Sequence, residues 1–434
     1  MIRTTLGRYR AAYSGLPREV WLLACVLFIN RCGTMVLPFL TLYLTSQFGM
    51  SDAAAGPMIS VYGFGAIGGA YLSGRLAERI GPMRLQTICM FLAAPACLLV
   101  SLGSTWLTIA AAILVFSFVT EAVRPANATS IIKLTTPENR TRAFALLRLA
   151  TNLGLSFGPA MGGLLASVDF RYIFYADAIT TLLAAAALFL FFRMRNFDGA
   201  TLQVHEAAVR VSPIKDRVFV VYLALMLSAG LVFSQWESTY PLYLRDHFHL
   251  SKFAIGTMFT VNTVVIVALE MVLVDLVKRW PSVRTIGWGC LLACAGFGIL
   301  PFGSSYAFCI FAMLVFTSGE MLTLPVSSGF VANRSPRGSE SLYMGWYTVM
   351  QSTGSVLGPM IGSWIYQIHR DALWLMGLAV GVFVCIAFQF LALWTKTATA
   401  HDLPETPASP LDAAVLSAVE TSESDGDSNA EKER

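Results

Sequence analysis

The sequence predicts an all-α membrane protein of about twelve transmembrane helices, arranged as two repeated six-helix bundles. Three observations predict it: the composition, a series of long apolar stretches, and an internal repeat. Of the 434 residues, 56% are hydrophobic and 13% are charged, whereas roughly a quarter of the residues in a soluble domain are charged. A chain this apolar is expected to lie in a lipid bilayer.

The apolar stretches are each about 20 to 27 residues long, enough for a helix to cross about 30 Å of hydrocarbon. We number them spans 1 to 12. In chain order they cover residues 20–45, 54–77, 84–103, 106–131, 142–166, 171–192, 218–244, 253–277, 285–303, 306–331, 341–367 and 372–395.

Lys and Arg residues concentrate before span 1 and in the loops after spans 2, 4, 6, 8 and 10. The alternate loops contain few, namely Arg171, Arg245, Lys252 and Arg370. Because positively charged short loops stay in the cytoplasm, both termini are predicted to be cytoplasmic. Span 1 is too long for a cleaved signal peptide. We expect a multi-pass protein of the cell inner membrane.

The internal repeat appears when the chain is shifted by 200 residues. "LYLTSQFGMSDAAAG", residues 42–56, then aligns with "LYLRDHFHLSKFAIG", residues 242–256. A repeat of this kind is typical of transporters. It predicts one bundle over residues 1–193, a cytoplasmic linker over 194–216, a second bundle over 217–395, and a tail over 396–434. The tail is acidic and too polar to fold, so it is predicted to be disordered.

Span 5 contains the glycine-rich stretch "GLSFGPAMGG", and span 11 repeats it as "GSVLGPMIGS". The residues of the stretch in span 5 are Gly154, Gly158, Pro159, Gly162 and Gly163. Three of these glycines recur every four residues, which gives a smooth face that a neighbouring helix can approach closely. The proline bends the helix by removing one backbone hydrogen bond. The duplication favours a place at a moving interface between the two halves.

The loop after span 2 reads "GRLAERIGPMR". Its distinctive residues are Gly74, Glu78, Arg79, Gly81 and Arg84. Together with the repeat, the loop resembles a signature of the major facilitator superfamily, although Glu78 stands where Asp is commoner. "GLSFGPAMGG" resembles the helix 5 signature of drug and proton antiporters, so the bacterial multidrug-efflux branch is the most similar.

This resemblance implies that spans 2, 5, 8 and 11 form the interface between the halves and that spans 1, 4, 7 and 10 line a central cavity. It also implies that the loop lies beside the start of span 11, around Ser339 to Tyr343. A carboxylate is stabilised near a helix N-terminus. Glu78 is therefore predicted to act as a cytoplasmic latch.

Charged residues inside membrane spans are costly and therefore point to function. The candidates for proton or substrate binding are Arg31, Glu121, Arg124, Glu237 and Glu320. Three further charges receive other interpretations. Arg148 follows soon after Arg142 and is expected at the membrane interface, while Asp177 and Glu270 are expected to cap or pair structurally.

Glu121 and Arg124 are three residues apart and share a helix face, so they either form a structural ion pair or a proton site. Glu320 lies one residue from the repeat equivalent of Glu121 and is the main alternative proton site, followed by Glu237.

Several function classes lack support in the sequence. There is no phosphate-binding glycine loop of the Walker type. The histidines are scattered, the cysteines lie within apolar spans, and the basic residues occupy topology-setting loops. We therefore expect no enzymatic activity, no metal, no cofactor and no nucleic-acid partner, with the proton gradient as the energy source.

The sequence predicts a secondary active exporter that exchanges protons for a small amphipathic or hydrophobic compound, working in the bilayer as a monomer. One alternative is a peptide symporter of the same superfamily, because "INRCGTMVLPFLTLYLT" resembles a pattern in which two Glu precede an Arg. Asn30 and Leu27 occupy those two positions here. A second alternative is a membrane sensor or scaffold that transports nothing.

Overall fold

The computed structural model describes residues 14–48, 52–195 and 212–398. All regular secondary structure in these ranges is helical. Each predicted span coincides with one helix or with two consecutive helices. Most of the predicted linker and tail lies outside the described residues.

The helices of the first half correspond to spans 1 to 6. They are Arg18–Cys32 and Val36–Phe48 for span 1, then Asp52–Ile80, Pro82–Leu102, Trp106–Leu134, Pro137–Val168 and Arg171–Arg195. Those of the second half correspond to spans 7 to 12. They are Arg217–Phe233 and Thr239–Asp246 for span 7, then Lys252–Val277, Ser282–Gly298, Tyr306–Arg334, Glu340–Ile368 and Arg370–Ala398.

The repeat is visible in how equivalent helices begin. Span 4 begins after Thr105, whose hydroxyl accepts a hydrogen bond from the backbone N–H of Thr108. Span 10 begins after Ser305, which accepts one from the backbone N–H of Phe308. A hydroxyl in this position satisfies one of the unpaired N–H groups of the first turn. The two caps stand 200 residues apart, the offset of the sequence repeat.

The surface of the described helices suits a bilayer. Eight of these helices are long and apolar enough to span a membrane, judged by length and composition alone. Spans 3, 6, 9 and 12 expose large apolar side chains, among them Ile88, Leu92, Leu183, Leu190, Trp288, Phe383 and Phe390. An apolar surface of this extent is stable against lipid rather than water. The chain is thus an all-α membrane protein.

Spans 1 and 7 differ from the prediction because each is broken near its middle. In span 1 the break covers Gly33 to Met35, and Asp177 accepts hydrogen bonds at 3.3 Å from the backbone N–H groups of Met35 and Val36. Asp177 therefore caps the second helix, which confirms its predicted structural role. Irregular backbone is tolerated inside a membrane only where such groups are satisfied.

The break in span 7 lies at the equivalent place in the repeat, where a short 3-10 turn covers Ser234–Glu237. Here the side chain of Gln235 bridges the break. Its amide nitrogen donates at 2.8 Å to the carbonyls of Leu231 and Gly358, and its oxygen accepts from Thr239 at 2.9 Å. A neutral amide thus replaces the carboxylate of the first half.

The glycine face of span 5 packs against span 1, in the same half. A Cβ atom on Gly154 would lie 2.6 Å from the Cβ of Arg31, and one on Gly158 would lie 2.9 Å from the carbonyl oxygen of Thr34. Gly162 faces Phe39 in the same way. The prediction that this face forms the interface between the halves is wrong, because the broken span 1 brings its backbone onto the glycines.

The repeat copy in span 11 behaves alike, since Gly358 and Gly362 pack on Ser234 and Gln235 of span 7. Each glycine-rich face therefore supports the broken helix of its own half. The side chain of Pro159 lies outside the described residues.

Spans 2 and 11 and spans 5 and 8 pack across the interface between the halves, as the resemblance implies, and spans 10 and 4 add contacts with spans 5 and 11, respectively. The two backbones come close at Gly74 and Gly345, where a Cβ on Gly345 would lie 3.0 Å from the Cα of Gly74. Backbones can approach this closely only where side chains are absent. Gly74, a residue of the loop motif, thus performs the role that was predicted for the span 5 glycines.

The packing of span 5 predicts different responses to alanine at two neighbouring glycines. Gly158→Ala should lower the Tm of the purified protein, because the new methyl would press on the carbonyl of Thr34, an overpacking that costs about 1–3 kcal/mol. Gly163→Ala is the matched control, since its Cβ would meet only the Phe39 ring at an ordinary 3.7 Å. It should leave the Tm unchanged or raise it, because alanine favours helix by about 1 kcal/mol. Equal effects of the two substitutions would contradict the packing described.

Candidate functional site

The charged residues inside the first half form a cluster around Glu121. Arg124 forms an ion pair with this carboxylate, with 3.1 Å between Nη1 and Oε2. The hydroxyl of Tyr62 donates to the other carboxylate oxygen at 3.3 Å. Arg124 also donates from Nη2 to Gln351 of span 11 at 3.2 Å. The ion pair expected from the spacing of Glu121 and Arg124 is present, and it reaches the second half.

Arg31 lies at the end of the first helix of span 1, directly before the break. The charged groups near enough to act on it electrostatically are Glu121, Arg124 and Asp177. Among the described residues, Arg31 has no carboxylate within ion-pair distance, and its Nε is buried without a hydrogen-bond partner. Within the part of the chain that the structure describes, this guanidinium therefore has no direct counter-ion.

A second cluster joins the halves at Arg148 of span 5. Its Nη1 lies 2.6 Å from Oε1 of Glu270 in span 8, and its Nη2 lies 2.8 Å from Oε1 of Glu320 in span 10. Asn262 donates to the second oxygen of Glu320 at 2.9 Å. Glu270 is fully buried, and its Oε2 has no hydrogen-bond partner.

The expected interfacial position of Arg148 is wrong. The helix of span 5 begins at Pro137, five residues before the predicted start of the span. Eleven residues of helix, at 1.5 Å each, place Arg148 about 16 Å from that start. The predicted pairing of Glu270 is confirmed, although the identity of its partner was missed.

The loop motif lies at what we call the basic end, the end of the bundle that carries the loops after spans 2, 4, 8 and 10. Glu78 accepts a hydrogen bond from the backbone N–H of Leu342 at 3.3 Å, so the contact with the start of span 11 is confirmed. Gly81 has a φ of 88°, a conformation that favours glycine. Arg79 lies in the last turn of span 2, and Arg84 in the first turn of span 3.

Two arginines at the start of span 5 add contacts between the halves at the basic end. Arg140 donates to the side chain of Asn333 at 2.9 Å and to the carbonyl of Ala332 at 3.3 Å. Arg142 lies 3.9 Å from Asp275 at the end of span 8. The basic end is therefore closed by contacts that cross from one half to the other.

The polar contacts that we find at the opposite end join groups of one half. Tyr243 donates to Asp371 at 2.6 Å, and Tyr366 donates to Asp246 at 3.0 Å. A hydrogen bond from Arg245 lowers the pKa of Asp246. These contacts fasten spans 7, 11 and 12 of the second half together, and among the described residues we find no hydrogen bond or ion pair there that reaches the first half.

Glu237, the remaining candidate, has a side chain outside the described residues. Its neighbour Trp236 belongs to an aromatic cluster of the second half, with ring centroids 4.3 Å from Phe259 and 5.4 Å from Phe316. Among the described residues, no group of His, Cys, Asp and Glu side chains could hold a metal ion.

Comparison with known proteins agrees with this architecture. A family model described as Major Facilitator Superfamily matches residues 22–322 and 238–423. An uncharacterized MFS-type transporter of Bacillus subtilis, YttB, is 24% identical over 87% of this chain and 95% of its own. The quinolone resistance protein NorA of Staphylococcus aureus is 22% identical over 85% and 95%.

Among solved structures, a bacterial homologue of the iron transporter ferroportin in its outward-facing state superposes with a TM-score of 0.71. Its sequence is 18% identical, and the match covers 87% of this chain and all of the other. At this identity the likeness concerns the fold.

The closed basic end predicts that a disulfide can form across it. An ideal Cβ on Gly329 of span 10 would lie 3.2 Å from the Cβ of Thr141 in span 5, close to the separation of about 3.8 Å in disulfides. The double variant Thr141→Cys with Gly329→Cys should therefore cross-link readily under mild oxidation, as measured by mass spectrometry of the digested chain. The two single variants are the controls. Failure of the double variant to cross-link would show that the basic end is open.

The Glu78 contact predicts a measurable change in that closure. A carboxylate at a helix N-terminus contributes about 0.3–1 kcal/mol, so Glu78→Gln should raise the population with an open basic end about 2- to 5-fold. The measurement is the rate at which a water-soluble maleimide labels a single Thr141→Cys. Asp169→Asn is the control. The hydrogen bond found for this carboxylate comes from the nearby backbone N–H of Arg171, so it does not join the halves. An unchanged rate in the Glu78 variant would contradict the latch.

Proposed function

The chain belongs to the major facilitator superfamily and is a membrane transporter rather than an enzyme, and from that premise we propose that it exports a small amphipathic or hydrophobic compound in exchange for protons. The transporter acts in the cell inner membrane as a monomer with both termini in the cytoplasm, and it uses the proton gradient without a cofactor. Relatives named for quinolone and multidrug resistance support export at 22% identity.

The observation that carries the proposal is the contact of Arg148 with Glu270 and Glu320. One guanidinium neutralises one carboxylate, so a second carboxylate leaves an excess negative charge in a medium of low dielectric. Such a charge is relieved by binding a proton. Glu270 Oε2, which is buried without a partner, supplies an acceptor for that proton.

The position of this cluster explains how protons would drive a conformational change. Arg148 belongs to the first half and both carboxylates to the second, so the charges must separate when the halves part at the basic end. Separating unprotonated carboxylates from their arginine is costly inside a membrane. Protonation of the carboxylates weakens this attraction and favours an open basic end.

The direction of exchange follows from topology. The basic end is cytoplasmic by the distribution of Lys and Arg, so the closed basic end corresponds to a state that faces outward. Glu320 keeps 19% of its side chain exposed, and in the proposed cycle it receives protons while the carrier faces outward. Proton binding then turns the carrier inward, and a bound substrate returns it outward after the protons leave. The two ligands thus move in opposite directions.

The proposal predicts a dependence of the conformation on pH that needs no substrate. Acidic buffer should speed maleimide labelling of Thr141→Cys in the otherwise wild-type chain, because protonated carboxylates release Arg148. Glu270→Gln and Glu320→Gln imitate the protonated state and should label rapidly at both acidic and alkaline pH. In proteoliposomes the same variants should keep downhill exchange of a dye and lose its pH-driven accumulation.

Glu121→Gln is the matched comparison, because Glu121 is the proton site first expected from the sequence. Its pH response should remain like that of the wild type if Glu270 and Glu320 bind the protons. If Glu121→Gln alone abolishes the pH response and the accumulation, the coupling site is the Glu121 pair and not the Arg148 cluster.

A further inference from the structure

Arg31, Arg124 and Arg148, which lie well inside their spans, differ in how their charge is compensated. Arg148 contacts two carboxylates and Arg124 contacts one. Arg31 contacts none among the described residues. An ionised side chain in this environment is expected to pair with a group of opposite charge. Among the described residues, Arg31 thus lacks the negatively charged partner that a guanidinium needs in this environment.

The nearby carboxylates are engaged elsewhere. Both oxygens of Glu121 are in use, one by Tyr62 and one by Arg124. Asp177 accepts from the backbone N–H groups that follow the break in span 1, and its other oxygen accepts from Thr181 at 3.5 Å. Neither acid can turn to Arg31 without giving up a bond that holds the local structure.

The position of Arg31 is fixed by its packing. Its Cβ lies against Gly154, and its Nε is buried without a hydrogen-bond partner. Arg31 is only partly buried, and no hydrogen bond from its terminal nitrogens is found among the described residues, so they can still donate. A guanidinium held in this way presents a preorganised fork, which suits a carboxylate that accepts two parallel hydrogen bonds.

We propose that Arg31, with Arg124 beside it, binds the carboxylate group of an amphipathic organic acid or zwitterion. The inference rests on the proposed function, because it names the chemical class of the exported compound. Glu121 is paired with Arg124 and Asp177 is held by backbone N–H groups, so a substrate carboxylate would supply the direct partner that Arg31 lacks among the described residues. Sequence reasoning left the charge of the substrate open.

Gln351 connects this site to the second half. Its amide oxygen accepts from Arg124, while its amide nitrogen has no hydrogen bond among the described residues. A carboxylate held by the two arginines can accept from that nitrogen. The bound acid then contacts both halves and stabilises their closed arrangement at the basic end, which is the arrangement that export requires after substrate has bound.

The test uses three probes of equal ring size and different charge: 2-naphthoate, 2-naphthamide and 2-naphthylmethylammonium. Their affinities for the full-length chain in lipid nanodiscs are measured by calorimetry without a proton gradient. A charge-assisted hydrogen bond predicts that the wild type binds the naphthoate at least about tenfold more tightly than the amide. Equal affinities, or a preference for the ammonium, would overturn the proposal.

Arg31→Gln should remove the preference for naphthoate and leave the affinity for naphthamide unchanged. Arg31→Lys should keep part of the preference, because a lysine retains the charge without the fork. Arg171→Gln is the charge-matched control, since Arg171 is the first residue of the span 6 helix and lies outside this cluster. A substitution that only damaged the fold would weaken both probes equally, and that result would also count against the proposal.

The outcome is independent of proton coupling, because the binding is measured at equilibrium. Loss of pH-driven transport with an intact naphthoate preference would reject the exchange mechanism and keep the anion site. The opposite result would be a pH response that the wild type shows and that Glu270→Gln and Glu320→Gln lose, together with an unchanged preference for naphthoate in Arg31→Gln. That result would reject the anion site and keep the mechanism.

Discussion

The arrangement of this protein depends on one constraint, which is that a charge inside the bilayer must be compensated. Arg148 is stabilised by two acids from the other half of the chain, and Glu121 by Arg124 and Tyr62. These contacts join helices that are far apart in sequence and fix how the spans meet. Arg31 has no direct counter-ion among the described residues and so departs from this constraint. That departure is why we look for its counter-ion in a bound ligand.

The two broken helices show the constraint applied to the backbone. Breaking a helix inside a membrane frees N–H and carbonyl groups that lipid cannot satisfy. Asp177 satisfies two N–H groups in span 1, and Gln235 satisfies the Leu231 carbonyl in span 7. The glycine-rich faces of spans 5 and 11 then allow the broken segments to pack at backbone distance. Through Gly154, the motif in span 5 also determines where Arg31 stands.

Much of the fold could be predicted from the sequence, because span length, loop charge and the repeat are local or periodic signals. The ion pair of Glu121 and Arg124 follows from its spacing of three residues. The contact of Glu78 with span 11 followed from a recognised motif. The Arg148 cluster could not be predicted, since its partners lie 122 and 172 residues away in the chain and no pattern connects them. The helix breaks were missed because the apolar stretches continue through them.

The glycine contacts of spans 5 and 11 lie within the halves, and this has a consequence for the history of the chain. A six-helix unit that supports its own broken helix needs no help from its twin for that part of its architecture. After duplication, each copy could therefore change its cavity-lining residues separately, one retaining an acid at the break and the other an amide. The shared surface needed only a few matched positions, such as Gly74 with Gly345. Two copies of one ancestral unit could in this way diverge into a cationic wall and an acidic wall of the same carrier.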